Sequence, residues 1–341
     1  MGETILSVDN LDVSFQTNSG LIKAVRGVSF DLKKGETLAI VGESGSGKSV
    51  TAKSIMQLLP KQSTRIDSGS IVYGGNDLLE YGNKEIEKIR GKEIAMVFQD
   101  PMTSLNPTMK IGKQVMEGLI KHNNIRKKEA KKRSIELLTE VGIPYAEERM
   151  NSFPHEFSGG MRQRVVIAMA LACDPKVLIA DEPTTALDVT IQAQILNLMK
   201  ELQKKTGTSI LIITHDLGVV VNMAQRIAVM YAGEIVETGT LREIFYKPKH
   251  PYTWGLLQSM PKMHQDQSVP LIPIAGSPPD VSLMHDGCPF AARCPYVMKV
   301  CHNHKPDQTQ ISVTHAAACW LEDDWAPEIK QPEKIGGVSN S

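Results

Sequence analysis

The sequence predicts an α/β fold in which a parallel sheet presents a phosphate-binding loop, and three observations carry that expectation. First, Gly42-Glu43-Ser44-Gly45-Ser46-Gly47-Lys48-Ser49 meets the G-x-x-x-x-G-K-[ST] pattern at every required position. Second, the apolar run Leu38-Ala39-Ile40-Val41 before the loop suits a buried strand, and residues 50–59, opening at Val50, suit a helix. Third, the apolar runs Lys176-Val177-Leu178-Ile179-Ala180 and Ser209-Ile210-Leu211-Ile212-Ile213-Thr214 end in Asp181-Glu182 and His215-Asp216, and read as buried parallel strands with polar groups at their C-terminal edge.

Each element has a chemical reason. Glycines let the loop backbone turn tightly enough to aim consecutive N–H groups at phosphates, at the positive end of the following helix; side chains at Gly42 or Gly47 would block that approach. Lys48 reaches the β- and γ-phosphates as a mobile charge, and the Ser49 hydroxyl suits Mg²⁺. Asp181 suits Mg²⁺ through its water shell, and Glu182 suits the role of general base on the attacking water. His215, at a strand end in the ligand crevice, is expected to contact the γ-phosphate or that water. Between these strands, Phe157-Ser158-Gly159-Gly160-Met161-Arg162-Gln163-Arg164 runs into helical residues 165–173. Ser158 is a natural N-cap, and the two glycines leave the first N–H groups uncovered. Taken alone this is equally an ordinary capped helix start. One chain has no use for two γ-phosphate cradles, so the economical reading closes this one over a partner subunit's nucleotide.

Whole-chain properties exclude other classes. At 341 residues with 41% hydrophobic content, about two domains with a sizeable core are expected. Thirty-eight basic and thirty-eight acidic residues cancel, so no global field favours nucleic acid or an anionic membrane. The Lys/Arg-rich residues 126–133 contain Glu129 and read as a solvated helix face. The longest apolar runs reach about half of the roughly 18 residues that a spanning helix needs, and the N-terminus lacks a signal-peptide core. A cytoplasmic protein is expected.

The order of the loop at 42–49, Gln99, Ser158-Gly159-Gly160, Asp181-Glu182, Ala186-Leu187-Asp188 and His215 resembles the ATP-binding cassette (ABC) ATPases, over residues 4–250 approximately. In that family these are the Walker A loop, Q-loop, signature, Walker B, D-loop and H-loop. The resemblance implies a RecA-like P-loop NTPase cassette with antiparallel β and helical subdomains. It also implies a head-to-tail dimer with ATP between one subunit's Walker A loop and the other's signature. Phe15 matches the aromatic that stacks on adenine, with a core Phe of an N-terminal strand as the competing reading. Met161 stands where the common signature has Gln, a departure that leaves the Ser-Gly-Gly backbone intact. Gln99 is implied in the γ-phosphate and Mg²⁺ shell, and the Asp100-Pro101-Met102-Thr103-Ser104-Leu105-Asn106 loop faces the groove that receives a permease's coupling helix. Closure of the dimer is then transmitted by rigid-body movement of the helical subdomain, approximately residues 90–165.

One motif set excludes fused double-cassette proteins, and the lack of a heptad insertion disfavours the genome-maintenance relatives. A finer resemblance, in the loop through Val50-Thr51, in residues 98–107 and 157–164, in His250-Pro251-Tyr252-Thr253, and in Gly276-Ser277-Pro278-Pro279-Asp280, is to the ATP-binding subunits of dipeptide and oligopeptide permeases. Within these the D-type subunit is similar. This implies a bacterial importer with two separate transmembrane permease subunits, a paralogous F-type ATPase subunit (a homodimer being the alternative), an indirect extracellular solute-binding protein, and a peripheral position on the cytoplasmic face of the cell membrane. A nickel or sugar importer, and a metal-cluster-regulated nucleotide switch without a permease, are the alternatives.

Cys173 falls in the apolar helix after the signature, where a buried inert thiol is expected. Cys288, Cys294, Cys301 and Cys319 are separated by five, six and seventeen residues. A cytosolic setting disfavours disulfides, and four thiolates suggest tetrahedral Zn²⁺ or a Cys₄ iron–sulfur cluster, with unligated thiols as a third reading. His302 and His304 are nearby alternative ligands. The Cys288-Pro289-Phe290-Ala291-Ala292-Arg293-Cys294 segment resembles the tail of dipeptide-permease ATPases that hold a [4Fe-4S] cluster, which implies that cofactor ahead of zinc. The expected organisation is a cassette over 1–250 and a small C-terminal cysteine-rich module over 251–325, with a polar disordered tail over 326–341. Pro248, Pro251, Pro261, Pro270 and Pro273 mark the passage between the first two.

Overall fold

A computed structural model describes residues 2–18, 20–185, 187–260, 273–279 and 286–332. Ala186, Pro261, Pro270, Asp280 and residues 333–341 of the expected tail lie outside the described residues.

Strands β1 (Thr4–Thr17) and β2 (Gly20–Lys33) form an antiparallel hairpin. β3 (Thr37–Val41) leads into the phosphate loop and helix α1 (Lys48–Ile55). β4 (Thr64–Tyr73) pairs with β1, and the short β5 (Asn76–Asp77) completes a sheet of order β2-β1-β4-β5. After α2 (Asn83–Ile89) and β6 (Ile94–Val97) come α3 (Pro101–Ser104), α4 (Ile111–Asn123), α5 (Lys127–Glu140) and α6 (Ala146–Arg149). Then α7 (Gly159–Leu171), β7 (Val177–Asp181), α8 (Val189–Thr206), β8 (Ser209–Thr214) and α9 (Leu217–Met223) alternate. β9 (Arg226–Tyr231), β10 (Glu234–Thr240), α10 (Leu241–Tyr246), α11 (Pro251–Gln258), α12 (Lys299–Asn303), β11 (Thr309–Gln310) and β12 (Ala316–Ala317) follow.

The main sheet has the order β11-β12-β10-β9-β3-β8-β7-β6. Its five strands from β9 to β6 run parallel, and β10, β12 and β11 add antiparallel at one edge. Alternate residues of each central strand serve different cores. Ala39, Ala180 and Ile212 face the cluster built with α4, α5, α7 and α8, whereas Ile40, Ile179 and Ile213 face the one shared with β1, β2 and β4. A strand buried on both faces must be continuously apolar, which is why these runs are readable in the sequence. β3 lies between β8 and β9, and chain order reverses there, so the loop after β3 opens into the crevice at the C-terminal strand ends.

Local details differ from the sequence expectation for physical reasons. α1 starts at Lys48 because Gly47, at φ 101°, breaks the backbone into the left-handed region just before it. It ends at Ile55, and Gln57 at φ 48° turns the chain away. β6 falls within the range read as helical subdomain, and it pairs with β7 as a strand of the main sheet. Cys173 lies beyond the end of α7 and is half-buried, with its Sγ 3.6 Å from the Gly118 carbonyl. Burial still pushes its thiol pKa up, so it stays protonated. On α5 and its N-cap, residues 126–129, 131 and 132 lie toward solvent, while Ala130 and Ser134 turn inward. Among the described residues no helix is long and apolar enough to cross a membrane.

Candidate nucleotide site

The phosphate loop is held open by close approach. A Cβ on Gly42 would stand 2.0 Å from the Met230 carbonyl oxygen, and one on Gly47 would stand 2.5 Å from that of Ala24. Only glycine fits either place, and the Gly233 N–H binds the Ser46 carbonyl at 2.9 Å to fix the loop against β9 and β10. Ser44 and Gly45 form the exposed tip, and no side chain caps the first turn of α1. Lys48 is 4% exposed and donates to the carbonyls of Gly42 (2.8 Å) and Glu43 (2.7 Å) and to Ser46 Oγ (3.3 Å). Burial lowers its pKa, opposed by the carboxylates of Glu182, Asp181 and Glu43. This is a cradle with one lysine folded inward, and it fits a polyphosphate. The Val50 side chain packs against the core shared with β1 and β2.

Strand ends bring the acids to the cradle. The Ser49 hydroxyl donates to Asp181 Oδ1 at 2.8 Å. Asp181 is 2% exposed, and burial raises its pKa despite that bond. A hydroxyl and a carboxylate side by side are hard oxygen donors that suit Mg²⁺. The Gln99 amide donates at 2.8 Å to Oε2 of Glu182, next to Asp181 in sequence. Thr185 Oγ1 donates to the same oxygen at 3.0 Å, and His215 Nδ1 lies 3.1 Å from Oε1. Burial raises the Glu182 pKa, but the hydrogen bonds from His215 and Thr185 and the charges of His215 and Lys48 outweigh it and hold the carboxyl below its ordinary range. The backbone of Glu182 itself sits at φ 49°, an uncommon conformation for a residue with a side chain, pinned by its N–H to the Ile213 carbonyl at 2.8 Å. The arrangement gathers an ionised carboxylate, an imidazole and two hydrogen-bond donors beside a phosphate cradle.

The remaining expected residues make other contacts. Ser158 Oγ accepts from the Met161 N–H at 3.3 Å and caps α7, and a Cβ on Gly160 would stand 2.7 Å from Ile191 on α8. Among the described residues, no hydrogen bond or ion pair joins Ser158, Gly159 or Gly160 to residues 42–49. Asp188 caps α8 through the Ile191 N–H at 2.9 Å. Phe15 is half-buried on β1, opposite Ile22 on β2 and Thr64 on β4.

Sequence reasoning missed three residues that organise the site. Thr185 is one. Gln163 is another, tying α7 to the Pro183 carbonyl at 2.6 Å just after Glu182. Tyr252 is the third: its hydroxyl accepts the Glu43 N–H at 2.8 Å. The signal for Tyr252 was its place in the His250-Pro251-Tyr252-Thr253 segment, where His250 Nδ1 accepts the Tyr252 N–H to cap α11.

Cys288, Cys294, Cys301 and Cys319 line one small pocket together with His250, Phe290, Tyr296 and Trp320. All four are free thiols. Burial pushes Cys288 up to about 12 and Cys294 up to about 11, and raises Cys319 likewise. The donors fit a soft metal in kind and in shared position. Their spacing does not close to ligand geometry, for among the described residues no three His, Cys, Asp or Glu side chains are gathered so as to hold a metal ion.

Comparison with known proteins agrees with this architecture. A family model described as ABC transporter matches residues 25–185, and one described as oligopeptide/dipeptide transporter, C-terminal region, matches residues 236–301. The chain is 60% identical over 331 residues to the oligopeptide transport ATP-binding protein OppD of Bacillus subtilis (strain 168), covering 97% of this chain and 92% of the relative. It is 57% identical to the dipeptide transport ATP-binding protein DppD of the same organism, covering 95% and 96%. Among solved structures, the dimeric post-hydrolysis state of the ATP-binding cassette MJ0796 bound to ADP and Pi aligns with a TM-score of 0.63 at 30% identity, covering 70% of this chain and 99% of that one. The likeness spans nearly the whole of this chain and of its relatives, and the chain belongs to the ATP-binding proteins of the ABC transporter family, in the oligopeptide and dipeptide transport group.

Proposed function

We propose that this ABC ATPase hydrolyses ATP to energise uptake of dipeptides or oligopeptides through two separate transmembrane permease subunits, from the cytoplasmic face of the membrane. The observation that carries the reading is the 60% identity to an oligopeptide transport ATP-binding protein across 97% of the chain. It favours peptides over nickel or sugars, and a transport subunit over a free nucleotide switch.

In the reaction, Lys48 turns from the loop carbonyls to the β- and γ-phosphates, and the loop N–H groups hold the chain of phosphates at the end of α1. Ser49 and Asp181 would hold Mg²⁺, which neutralises charge on the phosphates. Glu182, ionised at neutral pH, takes the proton of the attacking water, with His215 and Gln99 orienting the carboxylate and the γ-phosphate. Phe15 stacks on adenine. That no hydrogen bond or ion pair among the described residues joins Ser158-Gly159-Gly160 to the phosphate loop within one chain supports a shared site, in which these residues and Asp188 meet the nucleotide of a second ATPase subunit, an F-type paralogue or a second copy. The exposed Met102, 61% accessible on α3 beyond Gln99, supports permease docking at that loop. Residues 251–325 form a C-terminal module whose four cysteines share one pocket, and a [4Fe-4S] cluster, with Zn²⁺ as the alternative, would staple it. Visible absorption and metal content of the anaerobically purified full chain test that part.

The central experiment is the ATPase rate of the chain assembled with its permease subunits, with and without a solute-binding protein loaded with di- or tripeptide. Stimulation by peptide, abolished by Glu182→Gln, is expected. Assembly with indifference to peptide rejects the solute, and failure to assemble rejects the transport role.

A further inference from the structure

Two segments far along the chain converge on Glu43 of the phosphate loop, one on its side chain and one on its backbone. Arg293, its side chain only 5% exposed, binds Glu43 with both forks of its guanidinium, Nη1 to Oε2 at 2.6 Å and Nη2 to Oε1 at 3.0 Å. The two residues are 250 apart in sequence. Arg293 lies between Cys288 and Cys294, and its other donors are committed as well: Nε to the Ala275 carbonyl at 2.9 Å, Nη2 to that of Ile274 at 3.3 Å, and Nη1 to Tyr231 Oη at 3.3 Å. Tyr252 holds the Glu43 backbone from the other side. The rings of Tyr231, Tyr252 and Phe290 pack against each other at centroid distances of 4.5 to 5.4 Å, so neither grip swings freely.

Charge explains why such a clamp is needed. Glu43 puts a carboxylate into a loop built to receive a polyanion, and like charges at short range repel. Only Lys48 opposes it from within the loop. A bidentate guanidinium cancels the carboxylate and fixes its direction, with the Arg293 side chain buried and that of Glu43 partly exposed.

We propose that Arg293 and Tyr252 are positioning residues for ATP binding: acting through Glu43, the C-terminal segment neutralises and holds the first turn of the phosphate loop. The inference rests on that loop being the ATP site. Arg293 touches no reacting atom, so its loss should raise KM rather than lower kcat.

The test compares the full-length chain with Arg293→Met, Glu43→Gln and the double variant, reading ATPγS affinity on the chain alone and KM and kcat for ATP in the assembled complex. Arg293→Met is expected to raise Kd and KM about tenfold with kcat changed less than about twofold, and adding Glu43→Gln to recover most of that loss. A guanidinium that merely holds the C-terminal segment in place would give no recovery, because the carboxylate would not be what its loss exposes. Equal losses with and without the Glu43→Gln substitution, or unchanged affinity in Arg293→Met, overturn the proposal. Should Arg293→Met fail to fold, Arg293→Lys carries the same cycle: an intermediate loss of about threefold, coupled to Glu43→Gln, is expected, and its absence overturns the proposal. Lys48→Ala separates this from failure of the site itself, since loss of ATPγS binding there keeps the loop as the site whatever Arg293 does.

Discussion

His215 Nδ1 stands 3.1 Å from Glu182 Oε1, and the two residues lie just past the ends of the neighbouring parallel strands β8 and β7. With Gln99 and Thr185 on the other carboxylate oxygen, Glu182 is ionised and directed before any nucleotide arrives. Electrostatic preorganisation of this kind lowers the barrier only if the carboxylate itself acts on the water.

Glu182→Gln is therefore expected to reduce kcat by about 100-fold or more while nucleotide affinity changes little, because the amide oxygen can still accept from Gln99 and Thr185 but the group cannot take a proton. Single-turnover hydrolysis and ATPγS binding on the same preparation check both halves. Since Glu182 is held below its ordinary pKa, protonation of this carboxyl should not limit the wild-type rate above about pH 5. Turnover at the wild-type rate in the variant removes Glu182 as the base.

Ser158→Arg tests the shared site. Within one chain Ser158 only caps α7, and losing that cap costs about 1 kcal/mol. ATP affinity of the isolated chain should then stay within about twofold, whereas turnover in the assembled complex should fall more than about tenfold as the larger cation obstructs the partner's nucleotide. Normal turnover would restrict Ser158 to its capping role.

The central strands and the loop are legible because their information is local. Continuous burial writes an apolar run, and the loop's chemistry is compressed into consecutive positions from Gly42 to Ser49. Thr185 lies three residues beyond Glu182, yet nothing in its identity says that its hydroxyl turns back to the carboxylate. Val50 follows the loop directly, and helical geometry sends its side chain to the core. Arg293 reads only as a position of the cysteine motif at 288–294, and its partner is not legible, because a contact across 250 residues leaves no periodicity to find.

Glu237 anchors the C-terminal segment to the main sheet. It is fully buried on β10, and accepts the N–H groups of Lys249 at 2.7 Å and His250 at 2.9 Å, with His315 Nε2 at 2.8 Å. Removing the carboxylate strands these donors in the interior. Glu237→Ala is expected to cost about 3 kcal/mol or more in denaturant unfolding of the full chain. A loss below about 1 kcal/mol would mean that water or a neighbouring group replaces the carboxylate.

Glu243 gives the same joint a pH dependence whose direction is fixed. Its carboxylate accepts from Thr240 N at 2.8 Å, closing the capping box of α10, and from the hydroxyls of Ser312 at 2.6 Å and Thr314 at 2.8 Å in the turn between β11 and β12. Burial raises its pKa, but these bonds outweigh it and lower the group from 4.5 to about 2. The folded state thus holds the proton less readily than the unfolded chain. The stability this supplies is complete above pH 4.5 and is lost progressively as pH falls toward 2. Solvent access discounts the magnitude, leaving about 1 kcal/mol at neutral pH, comparable to one helix cap. Glu243→Gln should be less stable than the wild type by that amount at pH 7, and the difference should shrink below pH 4.5 as the wild-type carboxyl protonates. Thermal unfolding of both proteins between about pH 7 and pH 3 measures it. A gap that stays constant with pH would assign the stabilisation to side-chain shape alone, because an amide of the same size can keep the contacts but cannot reproduce the charge.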